Sequence, residues 1–105
     1  MSGSAQNASP EDGREGSIVR VINIVNTRGL HARASAKFVQ TVERYDAQVT
    51  VTRGGESVGG TSIMGLMMLA AAPGTSITIK ASGRQAAEVM AALEALVASR
   101  FGEGD

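Results

Sequence analysis

The chain has no cysteine. Disulfides, thiolate nucleophiles and zinc sites built on thiolates are therefore excluded, and the absence fits a reducing compartment. A single histidine excludes a multi-histidine metal centre. With no tryptophan, one tyrosine and two phenylalanines, aromatics stand at 3%. The core has to be built from Val, Ile, Leu, Met and Ala, and little surface remains for stacking nucleic-acid bases. Long apolar runs are missing too. The stretch from Ile63 to Ala72 is the longest, well short of the roughly 20 residues that span a bilayer. The N-terminus is polar, without the apolar centre of a signal peptide, so a cytoplasmic protein with no membrane partner is expected.

Net charge is also absent, at a formal zero, but its distribution is uneven. Residues 17–100 carry nine Lys/Arg against five Asp/Glu. Glu11, Asp12, Glu15, Glu103 and Asp105 lie in the two ends. A mildly basic body with acidic tails points to acidic partner surfaces or a phosphate, and not to a long nucleic acid.

At 105 residues and 43% hydrophobic, one domain with a modest core is expected. Residues 1–16 are Ser/Gly/Asn/Glu-rich and aperiodic, and are expected to be a disordered tail. The β-branched run Ile18–Ile24 predicts a strand. Helix formers from His31 or Ala32 to about Arg44, with Phe38, Val39 and Val42 on one stripe, predict a helix. Gln48–Thr52 alternates as a strand, and Arg53-Gly54-Gly55-Glu56 predicts a hairpin loop. A short, glycine-weakened strand follows over Ser57–Thr61. Ser62 is placed as the N-cap of a short helix with Leu66 and Leu69 inward, ended by Pro73-Gly74. Ser76–Lys80 alternates again, with Ile77 and Ile79 inward. Gln85–Ser99 predicts a last helix, with Ala86, Val89, Met90, Leu93, Leu96 and Val97 on one face. Residues 101–105 are expected to be a frayed tail. The order is βαββαβα, an α+β fold: a four-stranded antiparallel sheet with three helices on one face.

Gly29-Leu30-His31-Ala32-Arg33 carries the chemistry. A glycine-ended turn delivers one imidazole to a helix N-terminus, with an arginine two residues on. Free N–H groups and the helix dipole suit an anion there. A neutral imidazole nitrogen beside anion-binding groups can accept and return a phosphoryl group. No Asp or Glu lies near His31 in sequence, and neither a Walker-type loop nor a Mg²⁺ cluster appears. Read alone, His31 is as well a solvated turn residue and Arg33 a surface arginine. Ser62 is equally a plain helix cap and a modification site. Ile63, Met64 and Met67 have too many apolar side chains for so short a helix to bury, so part of it is read as an adaptable contact surface. Lys37 and Gln40 either rim that surface or belong to a solvated helix face.

Two separated motifs, Arg28-Gly29-Leu30-His31-Ala32-Arg33-Ala34 and Thr61-Ser62-Ile63-Met64-Gly65-Leu66-Met67, resemble those of the HPr family. These are the histidine-containing phosphocarriers of the bacterial phosphoenolpyruvate-dependent phosphotransferase system. The resemblance covers about Ser17–Ser99. It implies an HPr-like open-faced β-sandwich over residues 17–100, monomeric and without cofactor or metal. His31 would be phosphorylated on Nδ1 by enzyme I and would pass the group to IIA proteins. Arg33 would contact the phosphate. Ser62 would match the serine modified by an HPr kinase/phosphorylase. Ala36, Lys37, Gln40, Ile63, Met64 and Met67 would form the partner-binding surface. Ala34 departs from the family's usual proline, which leaves the helix intact but its first turn less rigid. That alanine beside a strong serine motif resembles alphaproteobacterial variants, in which the system is often tied to nitrogen or carbon control rather than to sugar uptake. The competing readings are a ferredoxin-like small-ligand regulatory domain, which shares the βαββαβ order, and a nucleic-acid module. The hairpin Arg53-Gly54-Gly55-Glu56 argues against the second, because it is no phosphate-clamping G-x-x-G loop.

Overall fold

The computed structural model describes residues 17–102. The expected tail over 1–16 and the last three residues lie outside the described residues. Strand β1 spans Ile18–Asn23, β2 Gln48–Arg53, β3 Glu56–Gly59 and β4 Ser76–Ser82. Helix α1 spans Ala32–Glu43, α2 Ile63–Met68 and α3 Ala86–Ala98. The sheet order is β1-β4-β2-β3, with every pairing antiparallel.

Side-chain alternation decides which face is covered. Val49 and Val51 of β2 and Ile77, Ile79 and Ala81 of β4 point inward and are buried. Between them Thr50, Thr52, Thr78 and Lys80 face the other way and stay wholly or partly open to solvent. A sheet with period-2 alternation has one dry face, so all three helices pack there and the other face stays open. Phe38 of α1, Leu66 of α2 and Val89, Leu93 and Val97 of α3 fill the layer between. Arg20 leans from β1 toward Glu94 of α3, 3.9 Å away, but both ends are half in water and the pair adds little stability.

The β2–β3 hairpin turns at the expected place, but its loop is only two residues, because Arg53 and Glu56 belong to the strands. Arg53 pairs with Glu56, and Gly54 and Gly55 both take positive φ, at 57° and 89°. That combination matches the right-handed twist of the strands and is cheap only for glycine. β3 begins and ends earlier than the Ser57–Thr61 reading. Gly60 explains the early end: a Cβ there would meet the Val49 side chain at 2.7 Å, so the chain leaves the strand where only hydrogen fits.

Two expectations about element ends need correction. Helix α2 is not ended by Pro73-Gly74. It stops at Met68, with Leu69 as C-cap and Ala70 in the left-handed region at φ 53°. The Arg53 guanidinium holds the Leu69 carbonyl at 3.1 Å, so a residue from the sheet closes the helix, and Pro73 belongs to the following turn. The expected fraying from residue 101 is also overturned at its start. Arg100–Gly102 forms a short turn with Phe101 fully buried.

That turn is left-handed throughout, with φ of 58° at Arg100, 54° at Phe101 and 70° at Gly102. Left-handed backbone costs an L-residue about 1–2 kcal/mol. Burying a phenylalanine returns about 1.5–3 kcal/mol. The Lys37 ammonium adds a charge-assisted hydrogen bond to the Phe101 carbonyl at 2.6 Å, worth about 1.5–3 kcal/mol. Burial and hydrogen bond together cover the strain. Phe101→Ala keeps the strain and loses the burial. It should destabilise the domain by about 3–5 kcal/mol, seen as a lower midpoint in urea unfolding with an unchanged slope.

Candidate functional site: the His31 loop and the two helices beside it

The turn from β1 into α1 is tied down along its length. The Ile24 amide donates to the Thr75 carbonyl at 2.8 Å, and the Gly74 amide donates to the Ile24 carbonyl at 3.0 Å. The Leu30 amide donates to the Ala71 carbonyl at 3.0 Å. Inside the turn, the buried Asn26 side chain donates to the Gly29 carbonyl at 2.9 Å. The Ser35 hydroxyl reaches the Leu30 carbonyl at 3.3 Å. Leu30 is itself buried, so the residue before His31 is anchored by both backbone and side chain.

Gly29 is required by this packing. Its φ is 66°, and a Cβ would lie 2.3 Å from the Ala71 carbonyl oxygen. The chain passes so close to the turn after α2 that no side chain fits.

His31 emerges from this loop as the N-cap of α1, with extended backbone at φ −79° and ψ −177°. Its side chain is half-exposed and makes no capping hydrogen bond. The first intrahelical bond runs from the Ser35 amide to the His31 carbonyl at 2.9 Å. The amides of Ala32, Arg33 and Ala34 precede that ladder and point out of the helix end. No acidic residue sits in the first turn, so the helix supplies no counter-charge of its own to the positive end of the dipole. Arg33 is exposed on that first turn. Ala34 is buried and helical. The helix therefore does survive without proline, and alanine keeps an amide proton that proline would lack.

Helix α2 packs against α1. Ser62 caps it: its hydroxyl oxygen accepts the Gly65 amide at 2.9 Å. Leu66 and Leu69 are buried, while Ile63, Met64, Met67 and Met68 are exposed. Met68 was missed by sequence reading. Its place in the run gave no signal, because the exposed arc of so short a helix depends on where the helix sits.

On α1, Arg33, Lys37 and Gln40 follow one another at helical spacing, with Ala36 alongside. Gln40 is exposed and Ala36 half-buried. Lys37 is engaged by the Phe101 carbonyl, so it is no simple rim cation.

Among the described residues no cluster of His, Cys, Asp and Glu could hold a metal ion, and no helix is long and apolar enough to cross a membrane.

A family model described as "PTS HPr component phosphorylation site" matches residues 18–99. The phosphocarrier protein HPr of Neisseria meningitidis serogroup A is 52% identical over 84 residues, covering 80% of this chain and 94% of that protein. The phosphocarrier protein HPr of Pseudomonas aeruginosa is 51% identical over 85 residues, covering 80% and 94%. Among solved structures, HPr from Thermoanaerobacter tengcongensis superposes with a TM-score of 0.78 at 38% identity, covering 82% of this chain and 97% of that one.

The fold, an open-faced sandwich with three helices on one side, is the one seen in solved HPr phosphocarriers. The chain belongs to the HPr family of the phosphotransferase system. That membership displaces the ferredoxin-like alternative, which shared only the element order.

Because Gly29 leaves no room for a methyl group, Gly29→Ala must push the His31 loop off the turn at Ala71. The expected result is a loss of more than about 1 kcal/mol of stability. The same variant should show shifted amide resonances at Leu30 and Ala71 in a nuclear magnetic resonance spectrum. Unshifted resonances at those two positions would refute this account of the loop.

Proposed function

We propose that this chain relays a phosphoryl group from phospho-enzyme I to IIA proteins through His31. The observation that carries this reading is the place of His31, half-exposed at the N-cap of α1, in a chain matched by the HPr family model over residues 18–99. The Nδ1 lone pair attacks phosphorus, the new N–P bond forms, and the bond to the donor's leaving nitrogen breaks. The reverse sequence delivers the group to the next acceptor. Phosphoryl transfer asks the protein for placement and charge stabilisation more than for covalent work.

The new phosphate is a dianion beside three outward amides and the dipole of α1. Each such dipole–charge interaction is worth about 0.3–1 kcal/mol. Arg33 adds a charge-assisted contact from an exposed position, where water weakens it. A moderate hold suits a carrier, which has to give the group away again. Metal and phosphoenolpyruvate chemistry belong to the donor, and the carrier acts as a cytoplasmic monomer.

Ile63, Met64 and Met67 supply the apolar part of the docking face, with Ala36 and Gln40 beside them on α1. Lys37 joins this face through its aliphatic stem, since its ammonium holds the Phe101 carbonyl. Ser62 is the site at which an HPr kinase/phosphorylase would act. Phosphate there would put about two negative charges next to this face. Docking would weaken without loss of the fold, because the N-cap remains favourable to an anion. Whether the relay serves sugar uptake or nitrogen and carbon control depends on which IIA protein receives the group.

Incubation with phosphoenolpyruvate, Mg²⁺ and a cognate enzyme I should add one acid-labile phosphate, seen by mass. His31→Ala should abolish the addition with its unfolding midpoint kept, and Arg33→Ala should slow it roughly tenfold. No addition to the wild-type chain by a demonstrably active donor refutes the carrier reading. Ser62→Asp should keep the unfolding free energy within about 0.5 kcal/mol of the parent chain and slow transfer. Unchanged transfer counts against regulation at Ser62.

A further inference from the structure

All sulfur in this chain is thioether: five methionines and no cysteine. Three of the five stand on α2, and their exposure is high, at 72% for Met64, 42% for Met67 and 70% for Met68. Met90 in α3 is the contrast, at 2%. With no cysteine or tryptophan in the chain, the exposed thioethers of α2 are the most accessible two-electron reductants among the described residues.

These side chains do not hold the helix in place. Leu66 and Leu69 anchor it in the core. Ser62 caps one end at 2.9 Å, and Arg53 closes the other at 3.1 Å. Oxidation of the outward sulfurs therefore changes the surface and leaves the helix seated.

We propose that Met64 and Met68, with Met67 following, form a reversible oxidation site that disables the docking face of α2. The proposal rests on the carrier reading above for its effect on transfer, but not for the site. A peroxide is the oxidant. The sulfur lone pair attacks one peroxide oxygen, the S–O bond forms, and the O–O bond breaks. Sulfur loses two electrons, and hydrogen peroxide leaves as water. Reversal needs a dithiol reductant, which supplies two electrons and two protons, takes the oxygen off as water and ends as a disulfide.

The product carries a strong hydrogen-bond acceptor where a soft apolar surface stood. A partner that covers it with apolar side chains leaves that oxygen desolvated and without a donor, and binding weakens.

The test uses the full chain, treated with hydrogen peroxide and mapped by peptide mass. The one-oxygen increment should appear first on Met64 and Met68, then on Met67, with Met90 spared. Enzyme I-dependent phosphorylation of the oxidised chain should slow roughly tenfold at limiting carrier concentration. The thermal midpoint should hold, and a methionine sulfoxide reductase with dithiol should restore the rate.

In a Met64→Leu, Met67→Leu, Met68→Leu variant, the ratio of rates before and after peroxide should be near one, whatever the variant's own rate. Oxidation of Met90 together with the α2 methionines overturns the site. An unchanged rate in fully α2-oxidised protein overturns the switch, as does equal peroxide sensitivity in the leucine variant. If the untreated chain accepts no phosphate at all, the carrier reading fails and the switch with it. The peptide map still decides the site.

Discussion

One close approach sets the geometry of this molecule: the passage of Gly29 and Leu30 against the carbonyl of Ala71. The Leu30 amide binds that oxygen at 3.0 Å, and Gly29 lies so near that a Cβ would sit 2.3 Å from it. This contact joins the loop before α1 to the turn after α2. His31 is the next residue, so its position is referred to the end of α2 as much as to its own helix. The Arg53 guanidinium extends the same connection into the sheet by holding Leu69, two residues before Ala71. A half-exposed histidine on a surface turn would ordinarily be mobile. Here the backbone on one side of it is pinned, and the helix on the other side is packed through Ala34, Ser35 and Phe38.

The one-sided sheet makes that arrangement possible. Alternation along β2 and β4 buries Val51, Ile77 and Ile79 under the helices and leaves Thr50, Thr52 and Thr78 on the open side. All three helices must then share one layer, which brings α1 and α2 into contact. The loop that delivers His31 to the start of α1 thereby meets the turn that follows α2. Helix α2 is too short to stand alone. Its burial of Leu66 and Leu69, the Ser62 cap and the Arg53 clamp let it show Ile63, Met64, Met67 and Met68 to solvent without coming loose. Stability and display are thus divided between opposite sides of six residues.

A carrier has to bind its phosphoryl group firmly enough to keep it from water and loosely enough to release it. The site has the parts of a moderate clamp. It offers outward amides at the start of α1 and the exposed Arg33 beside them. Lys37, which a helical wheel places near this face, is spent instead on the Phe101 carbonyl. It steadies the strained turn at the end of the chain. The local cation supply at the site is therefore smaller than the charge pattern of α1 implies.

Much of this was legible in the residues. Period-2 runs placed β2 and β4, and period-3.6 stripes placed α1 and α3, because burial on one face imposes those repeats directly; β1 was placed by its β-branched residues. Ser62 read as a cap because a hydroxyl before an apolar helix satisfies a free amide. Gly29-Leu30-His31-Ala32-Arg33 read as an anion site at a helix start because glycine, helix end and arginine each carry a local preference. The places where reading stopped short all depend on groups distant in sequence. Arg53 ends α2 through Leu69, so the stop signal lay on another strand and Pro73 was credited in its place. Phe101 looked like the start of a tail because its burial is in a core assembled from distant residues, and the Lys37 that holds its carbonyl is 64 positions away. Met68 joined the exposed arc only once the pose of α2 was set by its neighbours. The sequence by itself determined the elements, their one-sided core and the chemistry offered at His31, since these follow from local preference and periodicity. Tertiary structure alone decided where the elements end, which cation is occupied and how the histidine loop is held, because those depend on contacts that exist only once the chain has closed on itself.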